Sequence, residues 1–233
     1  VINDVKSELI DIYRCLKNDY QDFKEILDSL DREYIPLDKE ARKEYYYEIR
    51  EKYYDGMDSF VEETSTLYFL LKTCFNGIWQ GRKGSSRFYT PCGLLKEKDS
   101  VYDQDNLKSW SEFLQNASLY SEDWESVSRK YSNQETLHFF DPPYRDSFTS
   151  YSDTFGDDEQ LRLVNFCNNT EDTVMLTNRD AGDRFFDNVV DSNNLSIKQI
   201  PVTYTAGRRK KTAEGFEAKK AIEVLIHSNR LKD

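Results

Sequence analysis

The chain has 233 residues and a mass of 27.6 kDa, enough for one good core or for a core domain carrying an inserted subdomain. Acidic residues outnumber basic ones 43 to 32, giving a formal net charge of −11, and 38% hydrophobic content with 14% aromatics excludes a disordered tail protein. No apolar run reaches membrane length, and only His138 and His227 are available as imidazole ligands, so neither a membrane span nor a histidine metal site is expected.

Val1–Asn3 reads as the end of a strand, followed by a helix from Val5 to about Lys17 with Leu9, Ile12, Tyr13 and Leu16 on one face. Residues 39–55 and 57–74 read as two further helices separated by Gly56, the second carrying the stripe Leu67, Leu70, Leu71 and Cys74. Residues 76–93, rich in Gly, Ser and Arg, read as a loop or hairpin. Leu107–Leu114 and Trp124–Tyr131 look helical around a short strand at Ala117–Tyr120. Leu137-His138-Phe139-Phe140 reads as a buried strand ended by prolines, and a Ser/Asp-rich stretch then runs to about Gly156. A helix (157–168), a strand (173–177), a helix (183–190) and strands near 195–204 and 221–227 complete the pattern. Strands alternating with helices predict an α/β fold with a parallel-type sheet, and the helical block 19–116 reads as an insertion.

The tetrapeptide Asp141-Pro142-Pro143-Tyr144 concentrates the chemistry. It lies at the carboxyl end of a predicted strand, where open α/β sheets bind ligands. An exocyclic ring amine is a poor nucleophile because its lone pair is delocalised into the ring. Two acceptors aimed at its hydrogens, the Asp141 carboxylate and the Pro142 carbonyl, pull the nitrogen toward tetrahedral geometry and free that pair. As a methyl arrives, positive charge grows on the nitrogen, and a fixed carboxylate stabilises it more than the neutral ground state. Tyr144 offers a flat face for an unstacked base. The competing account is a strand-ending turn, for which Asp and Pro are equally suited.

The flanking segments occur in a telling order. Val1-Ile2-Asn3-Asp4-Val5-Lys6-Ser7-Glu8-Leu9-Ile10 comes first, then Phe69 to Trp79 with Pro91-Cys92-Gly93, then Asp141-Pro142-Pro143-Tyr144. Phe148-Thr149-Ser150-Tyr151 to Phe155, Val174-Met175-Leu176-Thr177-Asn178 and Glu223-Val224-Leu225-Ile226 follow. In this series the chain resembles the Dam-type (D12 class) site-specific DNA adenine N6-methyltransferases. The resemblance implies a Rossmann-like, S-adenosylmethionine-dependent methyltransferase sheet (1–18 and 117–233) with an inserted, mainly helical target-recognition subdomain (19–116). It also implies methyl transfer to N6 of an adenine flipped out of double-stranded DNA, as in restriction-modification.

Position by position, Asp4 matches the acid that takes the cofactor's ribose hydroxyls, although it could equally cap the following helix. Glu122 and Asp123 match the contacts to the cofactor's adenine, and Asp141 borders the same site. Asp141, Pro142, Pro143 and Tyr144 are implied as catalytic, with Phe148 and Tyr151 lining the pocket mouth and Thr177-Asn178 supporting it. Phe75 and Asn76 match a duplex wedge and a phosphate contact. Where the family reads guanine with arginine this chain has Gln80, a residue better matched to adenine, and Arg82 could take over. The net charge repels phosphates at long range, leaving contact to local basic patches: Arg82, Lys83 and Arg87, and Arg208-Arg209-Lys210-Lys211.

The family's Gly-rich cofactor loop has no counterpart in the sequence, where Gly-x-Gly does not occur. A preceding N-terminal segment, or a second chain, is therefore expected to complete the cofactor site. The alternatives are a catalytically silent or fragmentary DNA-binding homologue, and methylation of RNA or of a protein amide. Cys15, Cys74, Cys92 and Cys167 show no paired spacing, which with the lack of a signal-peptide pattern predicts a reducing, cytoplasmic setting without metal.

Overall fold

Helices α1 (Ser7–Asn18), α2 (Tyr20–Tyr34), α3 (Lys39–Asp55), α4 (Phe60–Thr73) and α5 (Gln104–Leu114) fill the first half of the chain in the computed structural model. That structure describes residues 1–81, 85, 87–93, 99–145, 155–204, 210–212, 215–217 and 219–231. The chain divides into two units, Val1–Trp124 and Glu125–Asp233.

In the first unit α4 is the central helix, packed by α1, α2 and α3, while α5 lies along α1. Helices α3, α4 and α5 each start on a short polar side chain. Asp38, Ser59 and Asp103 accept the backbone N–H groups of Ala41, Glu62 and Asn106 at 3.0, 3.1 and 2.9 Å. Ser59 explains why α4 begins at Phe60 rather than at residue 57. Helix α3 stops where Gly56 takes φ 120°, a value that L side chains rarely adopt. The core is unusually rich in tyrosine: Tyr34, Tyr46 and Tyr53 are fully buried with Phe23, Phe69 and Phe88. Tyr34 meets Phe69 edge to face at 5.2 Å.

Two expectations are corrected here. Residues 20–34 form a continuous helix that the sequence reading left inside an undivided block, with Phe23, Leu27 and Tyr34 buried. The buried face of α1 is Ile10, Ile12, Cys15 and Leu16 rather than Leu9 and Tyr13, since Tyr13 turns toward Trp110 on α5. Strand β1 (Ile2–Asn3) pairs in parallel with β2 (Leu119–Tyr120), Ile2 opposite Leu119.

The second unit begins at Glu125, within α6 (Trp124–Tyr131), and holds a four-stranded sheet. Its strands are β3 (Leu137–Phe140), β4 (Thr173–Asp180), β5 (Leu195–Tyr204) and β8 (Lys219–Ser228), in the order β3-β4-β8-β5. Helices α7 (Asp157–Asn169) and α8 (Phe185–Val189) belong to this unit, as does a hairpin of β6 (Lys210–Thr212) and β7 (Gly215–Glu217). Val174, Leu176, Val224 and Ile226 alternate into the core with Leu163, Val164 and Cys167 of α7.

The sheet is mixed, not parallel throughout. β3 and β4 run parallel, with Phe140 opposite Leu176, whereas β8 is antiparallel to both β4 and β5. Between Tyr204 and Lys219 the described residues form strands and no crossover helix, and an antiparallel return needs none. Strand β3 is also less buried than its apolar run predicts. Leu137 and Phe139 are 55% and 60% exposed, whereas His138 and Phe140 face α7 and meet the ring of Phe166 at 5.5 and 5.8 Å.

Candidate active site

Asp141, Pro142, Pro143 and Tyr144 follow directly on β3, so the parallel β3–β4 pair delivers them beside the end of β4. Thr177 of β4 reaches across with its hydroxyl, 2.6 Å from Asp141 Oδ1 and 3.3 Å from the Phe140 carbonyl. One carboxylate oxygen of Asp141 is thereby oriented by a neighbouring strand rather than by solvent. Tyr144 is half-buried, and its hydroxyl is pushed above its ordinary pKa, first by burial and then by the negative charges of Asp141 and Glu223. Glu223 of β8 accepts from the Tyr204 hydroxyl at 2.7 Å, and burial with that partner raises Tyr204 to about 12.

Below the rim lies a polar layer. Gln160 of α7 donates to the Pro143 carbonyl at 2.8 Å, Asn178 of β4 donates to Gln160 at 2.9 Å, and the Arg145 backbone N–H donates to Asn178 at 3.0 Å. The Arg145 guanidinium binds Asp157 through two nitrogens at 2.8 and 2.9 Å and Asp183 through two contacts at 2.9 Å, lying 3.9 Å over the Phe185 ring. These two carboxylates hold the Arg145 pKa above its ordinary value, and Arg145 holds both of theirs down. Of this layer, sequence reading marked only Asn178, as a supporting residue. The signal for Gln160 is its place in an apolar stripe: it occupies the helical position preceding Leu163, Val164 and Cys167 on the buried face of α7.

In the first unit the parallel pairing of β1 and β2 brings Asp4 and Glu122 to neighbouring strand ends. The Asn3 side chain both accepts from the Glu122 N–H and donates to its carbonyl, each at 3.1 Å, tying the two ends together. Asp4 Oδ1 accepts the Lys6 N–H at 2.7 Å just ahead of α1. This local turn holds the carboxylate at the end of β1; it is not the helix cap weighed for Asp4, because the N-cap of α1 is Lys6 and no side chain caps that helix. A half-buried acid at one strand end, with Glu122 and Asp123 following the next, suits a donor set for a ribose diol and an adenine.

The third group is the segment after α4. Phe75 is 41% exposed and Asn76 adopts a left-handed conformation, φ 54° and ψ 18°, followed by Gly77 at φ 64°. The turn is anchored by backbone bonds from Phe75 N to Pro91 O (2.9 Å) and from Gly93 N to Thr73 O (3.0 Å). Between these anchors Cys74 and Cys92 oppose each other across an isolated antiparallel bridge, both as free thiols. The Gln80 side chain is exposed, while its backbone is pinned by Tyr89 N and by the Thr90 hydroxyl. Arg87 is held internally by the Tyr53 carbonyl at 2.6 Å and Glu63 at 2.7 Å. Arg82, Lys83, Phe148, Tyr151, Arg208 and Arg209 lie outside the described residues. Among the described residues no cluster of His, Cys, Asp and Glu could hold a metal ion, and no helix is long and apolar enough to cross a membrane.

A family model for the D12 class N6 adenine-specific DNA methyltransferases matches residues 1–205. The chain belongs to this family. Among curated relatives, it is 36% identical over 174 residues to the type II methyltransferase M.MjaIII of Methanocaldococcus jannaschii, covering 71% of this chain and 59% of that protein. It is 33% identical to the type II methyltransferase M1.LlaDCHI of Lactococcus lactis subsp. cremoris, covering 70% of this chain and 58% of the relative. It is 27% identical to the type II methyltransferase M.CviBI of Paramecium bursaria Chlorella virus NC1A, covering 76% and 63%. The aligned region thus spans about three-fifths of each relative's length.

Proposed function

We propose that this chain carries the adenine pocket of an S-adenosylmethionine-dependent DNA N6-methyltransferase. The observation that carries the reading is Asp141 at the end of β3, with Oδ1 held 2.6 Å from the Thr177 hydroxyl and Tyr144 beside it. In this reading an adenine extruded from duplex DNA stacks on Tyr144, and its amino hydrogens are accepted by the Asp141 carboxylate and the Pro142 carbonyl. Asp141 then stabilises the charge that builds on N6. S-adenosylmethionine would supply the methyl group, and Asp4, Glu122 and Asp123 would be its ligands in the first unit.

The architecture inferred with it assigns residues 1–18 and 117–233 to a Rossmann-like catalytic methyltransferase domain and residues 19–116 to a DNA target-recognition insertion. Phe75 acts as the wedge and Asn76 as a phosphate contact. Gln80 reads a base edge, and Arg82, Lys83, Arg208 and Arg209 meet the backbone. The family match over residues 1–205 and the exposed, rigidly anchored Phe75-Asn76 turn support this assignment. The setting is cytoplasmic, and the process is restriction-modification.

The test is transfer of labelled methyl from S-adenosylmethionine to unmethylated genomic DNA, followed by nucleoside analysis. N6-methyladenine is the expected product. Asp141→Ala should abolish it while DNA affinity stays within about threefold, since the carboxylate acts on the reacting atom rather than on phosphate. Retained transfer in that variant would refute the role of Asp141.

A further inference from the structure

Both peptide groups that flank Tyr144 are held by buried side chains. The Pro143 carbonyl accepts from Gln160 Nε2 at 2.8 Å, and the Arg145 N–H donates to Asn178 Oδ1 at 3.0 Å. The two side-chain amides meet each other, Asn178 Nδ2 donating to Gln160 Oε1 at 2.9 Å. Every link has one possible sense. The chain runs from the Arg145 N–H through Asn178 and Gln160 to the Pro143 carbonyl, and flipping either amide would set donor against donor. Asn178 Oδ1 takes a second N–H, from Arg179 at 2.8 Å, which fills its acceptor capacity.

Packing does not account for these residues. Gln160 is 1% exposed among Leu163, Val164 and Cys167, and Asn178 is 0% exposed in the alternation set by Val174 and Leu176. An apolar residue at either position would fill the space without the cost of burying an amide. Both sides of the loop close only because the two amides satisfy each other and the main chain.

We propose that Gln160 and Asn178 are positioning residues for Tyr144: a closed amide relay fixes the backbone on both sides of it, and so sets the plane on which the extruded base lies. This rests on the reading of the tetrapeptide as the adenine pocket. The relay engages the Pro143 carbonyl and leaves the Pro142 carbonyl, one peptide upstream, to the substrate amine. Its loss should slow the transfer step by misplacing the base, without weakening cofactor binding.

The experiment uses Gln160→Met, Asn178→Asp and the double variant in single-turnover methyl transfer at saturating DNA and S-adenosylmethionine, normalised to folded protein by circular dichroism. Methionine matches glutamine in length without its amide, and aspartate keeps both N–H acceptors of Asn178 while losing the donor. Each single variant should lose between about tenfold and a hundredfold in transfer rate. The double variant should lose no more, and the KM for S-adenosylmethionine should stay within about twofold. Rates within about twofold of wild type per folded molecule, or single losses that multiply in the double variant, would overturn the relay. Hydrogen exchange on the wild type supplies a readout independent of variant folding: the Arg145 amide should exchange as slowly as that of Leu176 in β4. An active wild type with an unprotected Arg145 amide overturns the relay. A wild type with a protected amide that binds both DNA and S-adenosylmethionine yet transfers no methyl overturns the reading of the site.

Discussion

Thr177 contributes a single hydroxyl, yet it orients one oxygen of the Asp141 carboxylate. Thr177→Val keeps the branched shape of a strand residue and removes the hydrogen bond. A bond to a charged group is worth about 1.5–3 kcal/mol, so the transfer rate should fall between about tenfold and a hundredfold with the S-adenosylmethionine KM unchanged, as read by steady-state kinetics. At the opposite end of β3, Asp172 accepts from His138 at 2.9 Å and from the backbone N–H groups of Asn133 and Gln134. Burial alone would raise its pKa, but hydrogen bonds from Ser132, His138 and those amides outweigh it and hold the carboxyl down to about 2. A folded-state value below the ordinary 3.8 contributes stability that is complete above the unfolded value and lost as pH falls through the folded one. Asp172→Asn should therefore cost roughly 1–3 kcal/mol at neutral pH. Its deficit relative to wild type should shrink between about pH 4 and pH 2 in urea titrations. The sequence made Asp141 and Tyr144 visible because prolines interrupt an apolar run there. It hid Asp172 and Gln160, whose partners lie 34 and 17 residues away and carry no local pattern.

Elements were legible where a cap or breaker marks them. Asp38, Ser59, Asp103 and Gly56 set helix ends close to where periodicity alone would put them. Helix α2 escaped because its face is thin in apolar residues, with only Phe23, Leu27 and Tyr34 buried among many charges. The turn after α4 depends on something composition could not show. A Cβ on Gly93 would stand 2.4 Å from the Cys74 carbonyl oxygen and 2.8 Å from its carbon, both backbone atoms that cannot swing aside. Gly93→Ala should therefore push the 91–93 segment off residues 73–75 and cost about 1–3 kcal/mol in a denaturant melt. Because Phe75 is carried by that contact, DNA affinity should fall in the same variant, measured by fluorescence anisotropy. Unchanged affinity would remove Phe75 from the interface.

Across the whole chain, the alternation of β4 and β8 was readable, but strand direction was not, since a period of two is the same in either sense. The antiparallel course of β8 follows from its connection, which returns without a crossover helix among the described residues. Ile226 lies at the middle of that strand, opposite Leu176 on one side and Ile197 on the other, and is fully buried. Ile226→Ala should lower stability by about 2–5 kcal/mol in chemical unfolding, the largest loss predicted for a single substitution here. The sheet order β3-β4-β8-β5 also governs how the protein is made. During synthesis β5 emerges after β4, yet the place beside β4 belongs to β8, which has not been translated. Until β8 arrives, β4 and β5 each present an unpaired edge, the kind of surface that proteases and aggregation exploit. Insertion of β8 joins both at once, so a chain that stops short of Lys219 leaves both edges open.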